Sequence, residues 1–182
     1  MTAYHLKNCV WEITLACCFS CVHCGSRGGR ARENELTTEE CLDVAAQLAD
    51  LGCRRVSLIG GEVFLRGDWP VIAKALTDRA IRVTIITNGY LFTEDLIAQL
   101  KEAGIESVAV SMDGLETIHD KYRQKGSFLR TQKAIRIQWD TRDEREQMKG
   151  IERFVKEAQK MVVVMSRIIE EKQKVSRILN QT

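Results

Sequence analysis

Four of the chain's seven cysteines fall within one eight-residue stretch, CCFSCVHC at positions 17–24. Thiols this dense can close disulfides, hold zinc, or hold a cluster that keeps an open coordination position. Parsed as C-x3-C-x2-C, the stretch offers Cys17, Cys21 and Cys24 as ligands, with Cys18 as a bystander able to compete. The odd total of seven weakens a disulfide framework, and clustered cysteines in a reducing compartment more often bind metal or catalyse. Structural zinc wants four ligands, commonly as two separated pairs, and the one extra donor, His23, lies inside the same tight loop. An iron–sulfur cube on three thiolates leaves one iron without a protein ligand, free for a substrate or cofactor. A molecule binding that iron through amino and carboxylate groups needs an acid for its ammonium and a cation for its carboxylate. Glu62 and Arg123 suit those two tasks.

The segments that would position these groups alternate in character from residue 9 to about 137. CVWEITL (9–15) reads as a first strand that runs straight into the cysteines. Thr37 and Glu40 stand at the capping-box spacing and open a helix whose apolar face is Cys41, Val44, Ala45, Leu48 and Leu51, with Gly52 as its stop. RVSLI (55–59) is a second strand. Asp68 is placed to cap the next helix, with Trp69 and Pro70 in its first turn. RVTIIT (82–87) is the third strand. Thr93 caps a helix that Gly104 ends, and SVAVS (107–111) is the fourth strand. Strands starting at 55, 82 and 107 are about one βα unit apart, which implies a parallel sheet flanked by helices. The expected fold is therefore α/β: a partial TIM-like (βα) barrel, or a doubly wound sheet, with about four parallel strands over residues 1–138.

In such sheets, sites form at the carboxyl ends of the strands. The first strand here leads to the cysteines and the second to Gly60, Gly61 and Glu62. The third leads to Thr87-Asn88-Gly89, and the fourth to Ser111-Met112-Asp113-Gly114. Glycines beside polar side chains let backbone approach a ligand closely. Asn88 either touches such a ligand or only shapes a turn with Gly89, and Asp113-Gly114 is open to the same two readings. Cys9, Cys41 and Cys53 read as small buried hydrophobes. Trp11, Trp69 and Trp139 read as packing residues. His5 and His119 have no constellation around them.

The composition, 45% hydrophobic and 29% charged, is that of an ordinary globular protein, and a formal net charge of +2 argues against nucleic acid and anionic membranes as partners. His5, Lys7 and Asn8 interrupt any early apolar run, and no stretch approaches the length of a membrane span, so the expectation is a cytoplasmic protein without a leader. Residues 139–182 differ in character. They read as one long amphipathic helix, a separate segment whose stripe runs Ile151, Phe154, Ala158, Met161, Met165, Ile168, Lys172, Val175 and Leu179. That stripe packs either on the chain's own domain or in a coiled coil, and the second choice makes a homodimer.

Together these motifs resemble the N-terminal core of the radical S-adenosylmethionine superfamily. C-x3-C-x2-C is similar to its cluster loop, and Gly60-Gly61-Glu62 to its GGE motif, which holds the methionine amino group. The run SVAVSMDGLETIHDKYRQKGSF (107–128) resembles the peptide-maturing, SPASM-type branch. The resemblance implies a [4Fe–4S] cluster on Cys17, Cys21 and Cys24, with S-adenosylmethionine on its open iron. It also implies Ser111 near the ribose, Arg123 on the carboxylate, a flavodoxin- or ferredoxin-type electron donor, and a peptide or small-molecule substrate attacked by a 5′-deoxyadenosyl radical. Departures are Val63 where a proline usually follows GGE, four βα units where the family core has six, and no cysteine after Cys53 to hold auxiliary clusters. These leave open a truncated or frameshifted maturase, a compact relative, or a non-catalytic Fe–S or S-adenosylmethionine-binding protein that assembles through its C-terminal helix.

Overall fold

The structure, a computed structural model, describes residues 6–140, with side chains to residue 138. All but the first two residues of the amphipathic helix expected over 139–182, its coiled-coil reading and His5 lie outside the described residues. Four strands, β1 (Asn8–Thr14), β2 (Arg55–Gly60), β3 (Arg82–Thr87) and β4 (Ser107–Val110), alternate with helices. Those helices are α1 (Thr38–Asp50), α2 (Trp69–Thr77), α3 (Glu94–Glu102), α4 (Glu116–Tyr122) and α5 (Ser127–Asp140), and a 3-10 turn spans Val63–Leu65. The strands form one sheet in the order β1-β2-β3-β4, every pair parallel. Parallel neighbours require a crossover, and one helix per connection supplies it between β1 and β4.

Local chemistry accounts for these elements. At α1 the Thr37 hydroxyl accepts the Glu40 N–H and the Glu40 carboxylate accepts the Thr37 N–H, so the capping box forms. The face that α1 buries is Cys41, Ala45 and Leu48, whereas Leu51, expected on it, is 60% exposed because the helix ends one residue earlier. Gly52 and Gly104 take the left-handed φ of helix stops, +76° and +70°. Thr93 caps α3 through its hydroxyl and the Leu96 N–H.

Asp68 corrects one expectation. It stands at the N-cap position of α2 but makes no side-chain cap. Its carboxylate instead takes the Arg66 guanidinium, at 2.7 and 3.0 Å, and the Thr38 hydroxyl at 2.7 Å. Arg66 in turn donates to the carbonyls of Ile13 and Leu36, so Asp68 serves a tie between β1 and the start of α1.

Alternate strand residues point to the helices. Val56, Leu58, Val83 and Ile85 are fully buried against Ala45, Ala73, Leu76 and Trp69. Burying a branched aliphatic side chain is worth about 1.5–3 kcal/mol, so this layer holds the sheet to its helices. It thereby fixes where the strand ends lie.

Candidate functional site

The β1–β2 ladder slips by one residue between Glu12 and Thr14, just before the chain leaves the sheet. The loop that follows folds back on itself: Gly29 N–H donates to the Leu15 carbonyl at 2.8 Å, and Cys17 N–H to the Gly29 carbonyl at 2.9 Å. Gly28 fits here because a Cβ would stand 3.0 Å from both the Cys17 Cβ and the Gly61 Cα. The loop tip rests on the end of α4. There Val22 N–H donates to the Tyr122 carbonyl at 2.8 Å, His23 packs edge-on to the Tyr122 ring, and His23 Nε2 lies 3.4 Å from Asp113.

Cys17, Cys21 and Cys24 line one cavity of about 310 Å³, together with Gly60, Gly61, Thr87, Asn88, Ser111 and Arg123. All four strand ends thus contribute to it. Two of the sulfurs accept backbone N–H groups at 3.4 Å, Cys17 from Phe19 and Cys24 from Gly28. The Cys17 thiol is lowered to about 6, chiefly by its hydrogen bond with Cys18, whose own thiol is raised by the same contact. Cys18 is absent from the cavity lining, and Asn88 Nδ2 donates to its sulfur at 3.4 Å. Burial raises the Cys21 thiol. Among the described residues no three Cys, His, Asp or Glu side chains are gathered around a single point. The three thiols share a cavity wall and one loop, and two of them accept backbone N–H groups, a soft donor set that suits iron–sulfur ligation.

Glu62 is completely buried and lies outside the cavity lining. Its Oε1 accepts the Thr87 hydroxyl at 2.8 Å and the Phe64 N–H at 3.4 Å, and its Oε2 accepts the Asn88 N–H at 2.9 Å. Burial lifts its carboxyl to about 7 despite these donors. The two preceding glycines answer to the chain itself. A Cβ on Gly60 would come within 2.5 Å of the Thr14 carbonyl, and one on Gly61 would collide with the carbonyls of Leu15 and Ala16. That closeness lets Gly61 and Glu62 donate their N–H groups to Thr14 and Ala16, pinning the root of the cysteine loop.

Asn88 shapes the turn, one of the two readings its sequence allows. Its Oδ1 accepts the Tyr90 N–H at 2.8 Å, forming an Asx turn, while its amide reaches the Cys18 sulfur from the cavity wall. Ser111 donates its N–H to the Thr87 carbonyl. Arg123 is gripped by Asp113 at 2.5 and 3.0 Å through Nε and Nη2, which leaves Nη1 uncommitted to that pair. Asp113 therefore orients Arg123 as well as shaping its loop.

His119 does have a constellation, which the sequence reading missed. It is wholly buried, its Nδ1 facing the Asp113 N–H and its Nε2 the Thr131 hydroxyl, each at 3.4 Å. Thr131 also bonds the Asn88 carbonyl at 3.2 Å, so His119 braces two of the site's loops. Cys41 and Cys53 are buried as expected, whereas Cys9 is half-buried. Glu35 and Arg66 were also missed, since each reaches partners 20 or more residues away. A larger groove of about 560 Å³ among α1, α2 and α3 contains none of the site residues.

The sequence matches the radical SAM superfamily over residues 11–165. It is 37% identical over 130 residues to the AdoMet-dependent heme synthase of Methanosarcina barkeri, a stretch covering 70% of this chain and 37% of that protein. It is 33% identical over 126 residues to the mycofactocin maturase MftC of Mycolicibacterium smegmatis, covering 69% of this chain and 32% of MftC. The chain thus spans about a third of the length of these relatives. Among solved structures, Streptococcus suis SuiB bound to S-adenosylmethionine superposes with a TM-score of 0.62 at 20% identity, covering 73% of this chain and 30% of SuiB, which shows a shared fold.

Proposed function

The chain belongs to the radical SAM superfamily, and from that membership we propose that it is an enzyme with a [4Fe–4S] cluster on Cys17, Cys21 and Cys24 and S-adenosylmethionine on the cluster's open iron. When bound, the two would supply reductive cleavage of S-adenosylmethionine and a 5′-deoxyadenosyl radical that takes hydrogen from a substrate. The supporting observation is convergence: side chains from all four strand ends meet on one cavity. The Phe19 and Gly28 N–H groups reach the Cys17 and Cys24 sulfurs. Glu62 accepts three hydrogen bonds, and a carboxylate offers about four acceptor positions, so one is spare for the ligand's ammonium once this buried side chain, behind the cavity wall, is opened to it. Arg123, oriented by Asp113, takes the carboxylate, Ser111 lies beside the ribose, and Gly60, Gly61 and Asn88 complete the wall.

The proposed substrate is a peptide. The run 107–128 supports this, as do relatives named as maturases, MftC and the sporulation killing factor maturation protein SkfB of Bacillus subtilis. The heme synthase name keeps a small-molecule substrate as the competing choice. The setting is cytoplasmic with a flavodoxin- or ferredoxin-type donor. Among the described residues no helix is long and apolar enough to cross a membrane.

The test is anaerobic reconstitution with iron and sulfide, then dithionite and S-adenosylmethionine. About four irons per chain and the appearance of 5′-deoxyadenosine are expected, both lost in Cys17→Ala, Cys21→Ala and Cys24→Ala. A cluster that survives all three substitutions sinks the ligand assignment. A cluster without 5′-deoxyadenosine leaves the non-catalytic binding protein as the reading.

A further inference from the structure

Glu35 closes the cysteine loop at its base. A single oxygen, Oε1, accepts the Leu15 N–H at 2.7 Å, the Arg32 N–H at 3.0 Å and the Thr14 hydroxyl at 3.1 Å. The first and last donors sit where the chain leaves β1, and Arg32 sits where the loop returns. The Glu35 carboxylate therefore joins the two ends of the loop that carries all three proposed ligands. Ala16 is held by the segment just after β2, where the Glu62 N–H donates to its carbonyl at 2.7 Å, and Leu15 by the returning loop, where the Gly29 N–H donates to its carbonyl at 2.8 Å. Leu15 N–H points to Glu35, its carbonyl to Gly29, and Cys17 follows two residues later. With the Ala16 N–H on the Thr14 hydroxyl at 3.0 Å, the N–H and carbonyl of both Leu15 and Ala16 are assigned, and Glu35 supplies the side-chain acceptor for Leu15. Burial opposes its charge, yet the Leu15 and Arg32 N–H groups keep its carboxyl below the usual range. Arg66, whose guanidinium binds the Ile13 and Leu36 carbonyls, backs it with positive charge.

We infer that Glu35 is a positioning residue for the cluster. Its carboxylate fixes the spacing of the loop ends so that Cys17, on the ascending side, stays in register with Cys21 and Cys24. Closing a flexible loop costs conformational entropy, and a clip at its base meets that cost before any iron arrives. The inference rests on the cluster assignment above.

Three variants of the full chain test it: Glu35→Ala removes the clip, Glu35→Asp keeps the charge but shortens the arm, and Glu35→Gln keeps an acceptor oxygen at the same reach. A hydrogen bond to a charged acceptor is worth on the order of tenfold in an opening equilibrium, and three converge here. After reconstitution, release of iron to bathophenanthroline is expected to be about tenfold or more faster in the Ala and Asp variants. In the Gln variant, whose neutral oxygen makes weaker bonds at the same reach, the release rate should fall between those of wild type and the Asp variant. Thermal melting of the cluster-free proteins should remain near wild type in Asp and Gln, which separates positioning from general stability. Wild-type release rates in both Ala and Asp variants overturn the inference, as does iron loss that merely follows melting temperature. If Glu35→Ala does not fold, the Asp and Gln pair decides alone. Should wild type load no cluster, the failure is that of the cluster assignment. Amide exchange in the cluster-free protein then still judges the clip. The Leu15 and Cys17 amides should exchange about tenfold faster in the Asp variant, and unchanged exchange refutes it.

Discussion

Glu62, proposed to hold the ligand's ammonium, is also a burden on the fold. Fully buried, its carboxyl rises from an ordinary 4.5 to about 7, since burial outweighs the Asn88, Thr87 and Phe64 donors. A folded-state value above the unfolded one means that the folded state binds the proton more tightly. Stability from this group is complete below about pH 4.5 and drains away as pH rises through about 7. The shift corresponds to on the order of 3 kcal/mol. Glu62→Gln cannot titrate, so the stability of cluster-free wild type relative to Glu62→Gln is expected to fall by that order between pH 4 and pH 8. Chemical denaturation at several pH values measures it. A gap that is flat, or that widens in favour of wild type at high pH, contradicts a carboxyl protonated by burial. A ligand ammonium beside Glu62 would reverse the sign, because an adjacent cation favours the carboxylate.

The elements were legible where the signal is local. Thr37 with Glu40, Thr93, Gly52 and Gly104 each act within four residues, and each forms the cap or stop that its residue type dictates. Thr37→Ala removes one half of the capping box at α1. It should cost about 1 kcal/mol, read as a lower denaturant midpoint with an unchanged slope. An unchanged midpoint would mean that packing alone fixes the start of α1. The site's main ligand candidates were legible because contiguous motifs carry them, and β-strand ends bring such motifs together. What stayed hidden is the support. Asp68 has the sequence signature of a cap, but a guanidinium two residues away competes for the same carboxylate and wins by two hydrogen bonds. Glu35 and His119 act on partners that spacing does not reveal, since contact across the loop exists only once the sheet has formed. Gly60 and Gly61 were legible as places of close approach, but what approaches in the structure is the chain's own loop root.

At the scale of the whole described region, the sheet's two faces are unequal. Parallel sheets are ordinarily covered on both sides. Here Val56, Leu58, Val83 and Ile85 are sealed beneath the helices, whereas on the opposite face Val10 is 67% exposed and Ile86 40% exposed among the described residues. That open face leads up to the cavity, as Ile59 and Ile86 belong to its wall. Under the proposed function, a substrate larger than S-adenosylmethionine would find its room there. The inequality sets a contrast in stability. Leu58→Ala should cost about 2–5 kcal/mol, the range for truncating a fully buried leucine. Val10→Lys should stay within about 0.5 kcal/mol, since an exposed side chain loses no packing and the new ammonium remains in water. Denaturant titration of both variants provides the comparison. A Val10→Lys cost near that of Leu58→Ala would show the face to be covered in solution, by the region beyond residue 140 or by a second chain. Concentration dependence separates those two, because only the cover from a second chain lifts with dilution.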